Sequence, residues 1–304
     1  MKKLLIVDGN SLLHRAYHGY PPLTTAKGEL VGAVYGFTLM LFTAIDKLEP
    51  NYVTVAWDVG KKTFRHDKYA EYKAGRAKTD QELIDQIGRV KEVVTALAIP
   101  QIGIVNYEAD DIIGSVAERV KDQIDQVIIM TGDRDALQLV DGNKVVVYMP
   151  SAGKWAKDKG IAIYDEEGMI MKYGFTPAQV PDWKGLVGDS SDNIVGVKGI
   201  GEVSAKKILA QVKSIEELYE KLEDLDLTPR IKELLRIGKE SAILSKEIAT
   251  IERKMPLDFV LEDCRLEEYD RDLVTQLFEQ LQFKTLINRL PKDKKERELE
   301  EIFQ

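Results

Sequence analysis

Five short apolar runs alternate with helical patterns through the first 150 residues, and this order constrains the fold more than any other feature. The runs are rich in strand-forming residues and are predicted to be strands at 4–7, 52–57, 101–105, 126–130 and 144–148. Helical spacing of apolar residues fills the intervals between them. Strands that alternate with helices form a mainly parallel sheet covered on both faces. The predicted fold class is therefore α/β.

Acidic residues stand at or near the ends of four of these strands, namely Asp8, Asp58, Glu108 and Asp133. Parallel strands bring their carboxyl ends to one edge of the sheet, and α/β sheets bind ligands outside that edge. We therefore expect these four carboxylates to converge.

The densest group of acids lies in the stretch 106–114, which reads N-Y-E-A-D-D-I-I-G and opens an apolar helix. Glu108, Asp110 and Asp111 fall within four positions there. A helix can use acids in its first turn to cap free amides and offset its positive end, and this reading stays open. Three carboxylates this close, however, raise one another's pKa unless a cation lies among them. The usual small cation is a divalent metal ion.

The composition is that of a soluble globular protein, with 304 residues, 44% hydrophobic and 31% charged. No run of about 18 apolar residues is present, so no membrane span is expected. The apolar start ends at Asp8, too early for a signal peptide. The single cysteine, Cys264, excludes an internal disulfide and a cysteine-based zinc site. We predict a cytoplasmic protein.

The formal net charge of −8 argues against a nucleic-acid partner, but the charge is unevenly distributed. The segment 61–78 holds seven lysines and arginines against Asp67 and Glu71, with three aromatic residues among them. Basic side chains neutralise phosphates and aromatic rings stack on unpaired bases, so this mixture suits single-stranded nucleic acid. A lysine-rich surface loop is the alternative.

Beyond Lys172 the strand pattern stops and helices are predicted at 177–187, 203–212, 215–222, 231–236, 240–251 and 271–281, the last expected to pack back on the sheet. This part opens with G-D-S-S-D-N at 188–193, which adds Asp189 and Asp192. A turn follows, G-V-K-G-I-G at 196–201. Glycines before a helix let backbone amides approach a phosphate at its positive end. An ordinary helix-to-helix turn is the alternative.

Three common site types are excluded by missing residues. No G-x-G-x-x-G follows the first strand, so a dinucleotide site is not expected. The stretch 60–63, G-K-K-T, lacks the earlier glycine of a phosphate-binding P-loop. None of the three histidines follows a strand together with a suitable serine, which argues against a hydroxyl triad.

The chain resembles the 5′-nuclease (flap endonuclease) superfamily, and within it the N-terminal 5′ to 3′ exonuclease domain of bacterial DNA polymerase I. The resemblance spans about residues 4–290. Its motifs, in order, are I-V-D-G-N (6–10), A-V-Y-G-F (33–37), F-R-H (64–66), Y-K-A-G-R (72–76), Y-E-A-D-D (107–111), T-G-D-R-D (131–135), G-D-S-S-D-N (188–193) and G-V-K-G-I-G (196–201).

The resemblance implies a PIN-like 5′-nuclease core with a mainly parallel sheet at 1–175, including a basic clamp at 61–82. It also implies a helical subdomain with a helix-hairpin-helix DNA-binding turn at 176–290. Residues 291–304 form a charged tail or linker. Two departures from the family pattern are Ala136, where leucine is usual, and a longer, lysine-rich stretch at 149–165.

The family's site residues map onto this sequence one by one. Lys73 and Arg76 are the implied catalytic residues, acting on the reacting phosphate. The implied metal-binding acids are Asp8, Asp58, Glu108, Asp110, Asp111, Asp133, Asp135, Asp189 and Asp192. The implied DNA-binding residues are Arg15, Arg65, Tyr72 (base stacking), Lys198, Gly199, Ile200 and Gly201.

All the implied ligands are carboxylates, which suits hard cations, so we expect Mg²⁺, with Mn²⁺ as a substitute. Nine acids are too many for one ion and suit two. One ion is assigned to Asp8, Asp58 and Asp110. The other is assigned to Asp133, Asp135, Asp189 and Asp192, with Glu108 and Asp111 left unassigned.

The implied activity is that of a metal-dependent 5′ to 3′ exonuclease and structure-specific 5′ flap endonuclease that hydrolyses DNA and removes primers and flaps in replication and repair. The expected partners are DNA with 5′ single-stranded flaps or ends next to duplex, RNA primers, and a DNA polymerase domain on the same or another chain. Two rivals remain. An Asp-nucleophile phosphatase needs a second aspartate where Asn10 stands, and a non-catalytic DNA-binding module leaves the acids unexplained.

Overall fold

A single six-stranded sheet organises the first half of the chain, in a computed structural model that describes residues 1–60, 62–76, 78–150, 162–266, 269–292 and 296. The strand order is β3-β2-β1-β4-β5-β6. The strands are β1 (Lys3–Asp8), β2 (Tyr52–Ala56), β3 (Gln101–Ile102), β4 (Gln126–Met130), β5 (Val145–Met149) and β6 (Ala162–Tyr164). All pairs are parallel except β5 with β6. The α/β prediction is confirmed, although β3 is shorter than predicted and β6 was not predicted.

Helices cover the sheet and build the second half of the chain. Within the described residues they are α1 (Gly9–Gly19), α2 (Gly32–Leu48), α3 (Phe64–Lys68), α4 (Gln81–Ala96), α5 (Ala109–Val120), α6 (Glu166–Tyr173), α7 (Val180–Val187), α8 (Glu202–Leu209), α9 (Ile215–Glu220), α10 (Pro229–Ile237), α11 (Lys239–Ala249), α12 (Arg271–Gln280) and α13 (Lys284–Ile287). Short 3₁₀ helices lie at Asp135–Leu139, Pro177–Gln179 and Leu261–Cys264. No helix in the described ranges is long and apolar enough to cross a membrane.

The central strand β1 is buried on both faces because its side chains alternate between two apolar layers. Leu4 and Ile6 pack in the layer that contains α5, whereas Leu5 and Val7 pack in the layer that contains α1, α2 and α4. Phe278 of α12 joins the second layer, with its ring centroid 6.0 Å from that of Phe42. The last long helix thus packs back on the helices that cover this face of the sheet.

The helical part shares its apolar core with the sheet. Leu186 of α7, Ile208 of α8 and Ile215 of α9 belong to the same buried cluster as Leu4 and Ile6. Helix α7 packs mainly against α11. Because one core runs through both parts, the loops that carry Asp189 and the acids of the sheet are held in fixed relation.

Strand β1 lies between β2 and β4, so the direction of winding reverses there. The reversal opens a crevice outside the carboxyl ends of these strands, where such folds bind ligands. Some predicted segments lie outside the described residues, at least in part: residues 61 and 77 of the clamp, 151–161 of the lysine-rich stretch, and most of the tail at 291–304.

Candidate active site

A cavity of about 1170 Å³ opens at the carboxyl ends of β1, β2 and β4, as the strand-end acids predict. Lys73 and Arg76 of the clamp also line it. Seven of the nine predicted acids line this cavity: Asp8, Asp58, Glu108, Asp110, Asp133, Asp135 and Asp189. Asp192 lines a small adjoining pocket together with Glu108 and Asp110. The fold therefore brings together residues that are up to 184 positions apart in the sequence.

The first acid group, Asp8, Asp58 and Asp110, sits at the sheet. Asp8 caps α1 by accepting from the Ser11 amide at 3.0 Å, and it also accepts from the Thr131 hydroxyl at 2.7 Å. Asp58 accepts from the Ala109 amide at 2.7 Å. Among the residues that the structure describes, no member of the group forms an ion pair with a lysine, arginine or histidine.

The pKa values of this group are raised because burial and mutual repulsion disfavour the charged carboxylates. Burial raises the pKa of Asp8 to about 7 although two hydrogen bonds favour its charged form. The pKa of Asp110 is raised well above its ordinary value, first by burial and then by repulsion from Asp133 and Asp8. Burial also raises the pKa of Asp58. A cation bound among these groups would relieve the repulsion.

The second acid group, Asp135, Asp189 and Asp192, has oxygens that all lie within 4.8 Å of one another. Here a protein cation is present, because the Lys184 ammonium contacts Asp135 and lies 2.5 Å from Asp189 Oδ2. Burial would raise the pKa of Asp189, but Lys184 and hydrogen bonds from Ser191 outweigh it and lower the pKa to about 2. Asp133 acts on both groups, since its charge raises the pKa of Asp8 and of Asp135.

The two clamp cations also rest on acids. Lys73 Nζ lies 2.7 Å from Glu108 Oε1, and Arg76 Nη2 lies 2.5 Å from Asp192 Oδ1. The clamp turn is fixed by its backbone, because the Lys73 amide donates to the Asp192 carbonyl at 2.9 Å. Lys73 has a φ of 57°, in the left-handed region that side chains rarely adopt. Both clamp residues therefore line the cavity, and each is paired with an acid.

Asp111 does not meet the expectation of a metal ligand. Its side chain is 0% exposed and does not line the cavity, and Arg65 Nη1 and Nη2 donate to its two oxygens at 2.7 and 2.8 Å. The amides of Glu108 and Glu252 donate to the same oxygens. Because these donors already surround both oxygens, Asp111 has a structural role beneath the cavity.

Arg65 and Tyr72 likewise do not meet the expectation of DNA contacts. Arg65 is buried, and besides Asp111 its guanidinium donates to the carbonyls of Ile248 and Thr250. The Tyr72 ring is 4% exposed, which leaves no face for a stacked base. Its hydroxyl lies 3.1 Å from Glu108 Oε2 and 3.2 Å from Asp192 Oδ2. Arg65 thus connects α3 to α5 and to α11, and the Tyr72 hydroxyl connects Glu108 to Asp192.

The remaining predicted DNA contacts lie on the surface or beside the cavity. Arg15 donates to the Pro150 carbonyl at 2.7 Å and does not line the cavity. In the glycine turn, Lys198, Gly199 and Gly201 are exposed, whereas the Ile200 side chain belongs to the core and can contribute only its backbone. Gly199 has a φ of 92°, and Gly201 is the N-cap residue of α8.

Lys184 and His14 line the cavity but were not predicted from the sequence. Lys184 lies on α7, five positions before Asp189. No sequence pattern distinguishes a lysine that lines a site from one on a solvated face. His14 lies on α1, six positions after Asp8. That placement, on a helix that begins at a strand-end acid, is a signal that could have identified it.

Comparison with known families accounts for most of the chain. The family model described as "5′-3′ exonuclease, N-terminal resolvase-like domain" matches residues 3–174. The model described as "5′-3′ exonuclease, C-terminal SAM fold" matches residues 175–272. The first model ends close to the end of α6, and the second begins just before the 3₁₀ helix that precedes α7.

Among curated proteins, the chain is 43% identical over 289 residues to DNA polymerase I of Caldicellulosiruptor bescii, covering 95% of this chain and 33% of that protein. It is 40% identical over 297 residues to DNA polymerase I of Bacillus subtilis, covering 98% of this chain and 33% of that protein. The chain thus spans about a third of the length of these relatives.

Among solved structures, T5 5′-exonuclease with bound zinc has a TM-score of 0.67 at 19% identity, covering 93% of this chain and 99% of that one. The catalytic core of Rad2 in complex with a DNA substrate has a TM-score of 0.57 at 13% identity, covering 95% and 92%. These likenesses establish a shared fold. With two family models that together match residues 3–272 and relatives at 40% identity or more, the chain belongs to the 5′-3′ exonuclease family.

Proposed function

We propose that this chain is a divalent-metal-dependent nuclease that hydrolyses DNA phosphodiesters, both as a 5′ to 3′ exonuclease and at 5′ flaps. One observation carries the proposal: a cavity of about 1170 Å³ in which a group of three acids has no ion-pair partner among the described residues. An empty, acid-lined cavity would repel the phosphates of a nucleic acid. With cations bound it would attract them, so cation binding and phosphate chemistry go together.

The donor set fits hard cations. Every candidate ligand is a carboxylate, and the raised pKa values of Asp8 and Asp110 reflect unrelieved burial and repulsion. Oxygen ligands of this kind suit Mg²⁺ and Mn²⁺. When bound, two such ions supply an activated water and stabilise the leaving oxygen of a phosphodiester. We assign the first ion to Asp8, Asp58 and Asp110, and the second to Asp135, Asp189 and Asp192, with Asp133 between them.

The chain's own cations would act on the reacting phosphate. Lys73 and Arg76 line the cavity and rest on Glu108 and Asp192 at 2.7 and 2.5 Å. A cation bound to Asp192 would release Arg76 from its contact, and Lys73 already lines the cavity beside Glu108. Both side chains would then neutralise charge that develops on the phosphoryl oxygens in the transition state.

The DNA contacts would divide between two surfaces. The clamp carries the basic residues closest to the cavity and would hold the 5′ single strand. The exposed turn at Lys198, Gly199 and Gly201 would present backbone amides of α8 to a duplex phosphate. Related folds have been solved with DNA, including the Rad2 core. The relatives are named DNA polymerase I and are about three times longer than this chain. We therefore also propose that a polymerase domain, on the same or another chain, is a partner that fills the gap.

The test uses a flap DNA labelled at its 5′ end, incubated with the protein and either Mg²⁺ or EDTA. We expect short labelled products and a cut near the flap junction in Mg²⁺, and no products in EDTA. Binding without cleavage in Mg²⁺ and in Mn²⁺ would support the rival reading of a non-catalytic DNA-binding module. Release of inorganic phosphate alone would support a phosphatase.

A further inference from the structure

Lys184 is a buried cation inside the candidate metal site. Its side chain is 6% exposed, and its ammonium contacts one oxygen of Asp135 and one of Asp189. Those two residues supply two of the three ligand atoms that lie within 4.8 Å of one another in the second acid group. The third, Asp192, is held by Arg76 at 2.5 Å. Each acid of the second group thus has a protein cation, in contrast to the first group.

The position of the ammonium decides between two roles for Lys184. A lysine that only supports the fold would approach the acids from behind and leave their facing oxygens to a metal ion. Lys184 instead bridges one oxygen of Asp135 and one of Asp189, so an ion held by these two acids would share their carboxylates with the ammonium. An ammonium and a divalent ion repel each other at contact distance, so each weakens the binding of the other to these two carboxylates.

We propose that Lys184 is the resident counter-cation of the second acid group and competes with the second divalent ion for Asp135 and Asp189. The first group then binds an ion directly, whereas the second group binds one only when the Lys184 ammonium withdraws. Lys184 is a positioning residue in this role, because it acts through the acids. The inference rests on the proposed function, since it assumes that the acids bind divalent ions.

The withdrawing ammonium would stay within the same cavity. Lys184 lines the cavity beside Trp183 and Val187 of the same helix, and its long apolar stem lets the ammonium move while the helix stays packed on α11. A substrate phosphate in the cavity would attract the released ammonium. Ion and phosphate binding would therefore favour each other, as linkage between two sites requires.

The experiment replaces Lys184 with methionine, which has a similar length and no charge, and titrates the protein with Mn²⁺ in the absence of DNA. Bound and free ion are followed by electron paramagnetic resonance. In the unmodified protein we expect a stronger and a weaker class of site. In Lys184→Met the weaker class should tighten by about tenfold or more, with the stronger class little changed.

Lys246 provides the matched control, because it is a half-buried lysine that also bridges two acids, Asp182 at 2.7 Å and Glu216 at 2.6 Å, and it does not line the cavity. Lys246→Met should leave both Mn²⁺ affinities unchanged. Lys184→Gln makes the same prediction as Lys184→Met and covers the case in which the methionine variant does not fold. Unfolding by urea gives a second readout. In EDTA, Lys184→Met should have a lower free energy of unfolding than the unmodified protein. In Mn²⁺ without EDTA, the free energy of unfolding should rise by more in Lys184→Met than in the unmodified protein.

The outcomes separate the two proposals. In one outcome the unmodified protein binds Mn²⁺ and cleaves DNA, but the weaker class of site is unchanged or lost in both Lys184 variants. Lys184 then organises the acids or contacts DNA, and the proposal that it competes with the second ion is wrong. If the unmodified protein neither binds Mn²⁺ nor cleaves DNA, the proposed function itself fails.

Discussion

Asp110 and Asp111 are neighbours in one helical turn, yet their surroundings are opposite. Asp110 lines the cavity, and burial with repulsion from other acids raises its pKa well above the ordinary value. Asp111 is fully buried, and Arg65 donates to both of its oxygens. A fold can thus retain an acid either with a permanent protein cation or with an exchangeable one. Only the second arrangement leaves oxygens free for chemistry.

The second acid group stands between these extremes. Asp135 and Asp189 line the cavity like Asp110, and Asp192 lines the adjoining pocket, but Lys184 and Arg76 pair with these acids as Arg65 pairs with Asp111. The difference is that Arg65 also donates to two backbone carbonyls, whereas Arg76 donates to one and the Lys184 ammonium contacts only carboxylates in the described residues. The three arrangements make different predictions for substitution.

The largest expected effect follows from removing the charge of Asp110. Asp110→Asn should reduce Mg²⁺-dependent cleavage by about 10⁴-fold, the size seen when a central catalytic group is lost. The same substitution should raise the free energy of unfolding in EDTA at neutral pH, because it removes a buried source of repulsion. Cleavage is measured in single turnovers, and stability by urea unfolding.

Asp141→Asn is the control for this prediction, because Asp141 is an exposed acid that pairs with Lys121 at 3.2 Å outside the cavity. It should change neither quantity appreciably. If Asp110→Asn destabilises the metal-free protein, then Asp110 has a structural role like that of Asp111, and the contrast between the two neighbours fails.

A somewhat smaller effect, on stability alone, is expected when the buried Arg65–Asp111 ion pair is broken. Arg65→Met leaves Asp111 buried without its cation and should lower the free energy of unfolding by about 3–5 kcal/mol. Arg89→Met is the matched control, since Arg89 pairs with Glu29 at 2.5 Å on the surface and should cost at most about 1 kcal/mol. Equal losses in the two variants, measured by urea unfolding, would show that burial does not distinguish these pairs.

The sequence predicts which residues reach the cavity better than it predicts what each one does there. Strand periodicity and the acids at strand ends locate Asp8, Asp58 and Asp133 because the carboxyl ends of parallel strands must share an edge. Helical periodicity cannot separate Asp110 from Asp111. Their difference depends on Arg65, which lies 46 positions before Asp111 and contacts it only in the folded structure.

The failures have physical causes as well. Strand β6 is only three residues long and pairs antiparallel at the sheet edge, so it produces no apolar run of its own. Tyr72 lies in a basic, aromatic segment that suits base stacking, yet tertiary packing buries its ring. Lys184 has no sequence signal because the two acids that it contacts lie on other segments. In each case long-range contacts override the local pattern.

The smallest expected effect is a pH dependence of stability that belongs to the first acid group. The pKa of Asp8 is about 7 in the folded protein, against an ordinary value of 3.8, so between roughly pH 4 and 7 the folded state holds a proton that the unfolded chain has lost. The stability from this proton is fully present below pH 4 and is lost as the pH rises through 7.

In EDTA, the free energy of unfolding should therefore fall between pH 4 and 7. Asp8→Asn, which keeps the cap of α1, should reduce this fall by roughly 1–2 kcal/mol, a value discounted for water in the cavity. Ca²⁺ should reverse the loss in the unmodified protein by binding the ionised acids. If the slopes of the two proteins coincide in EDTA, Asp8 is already ionised without a metal ion, and the first acid group then has a compensating charge like the second.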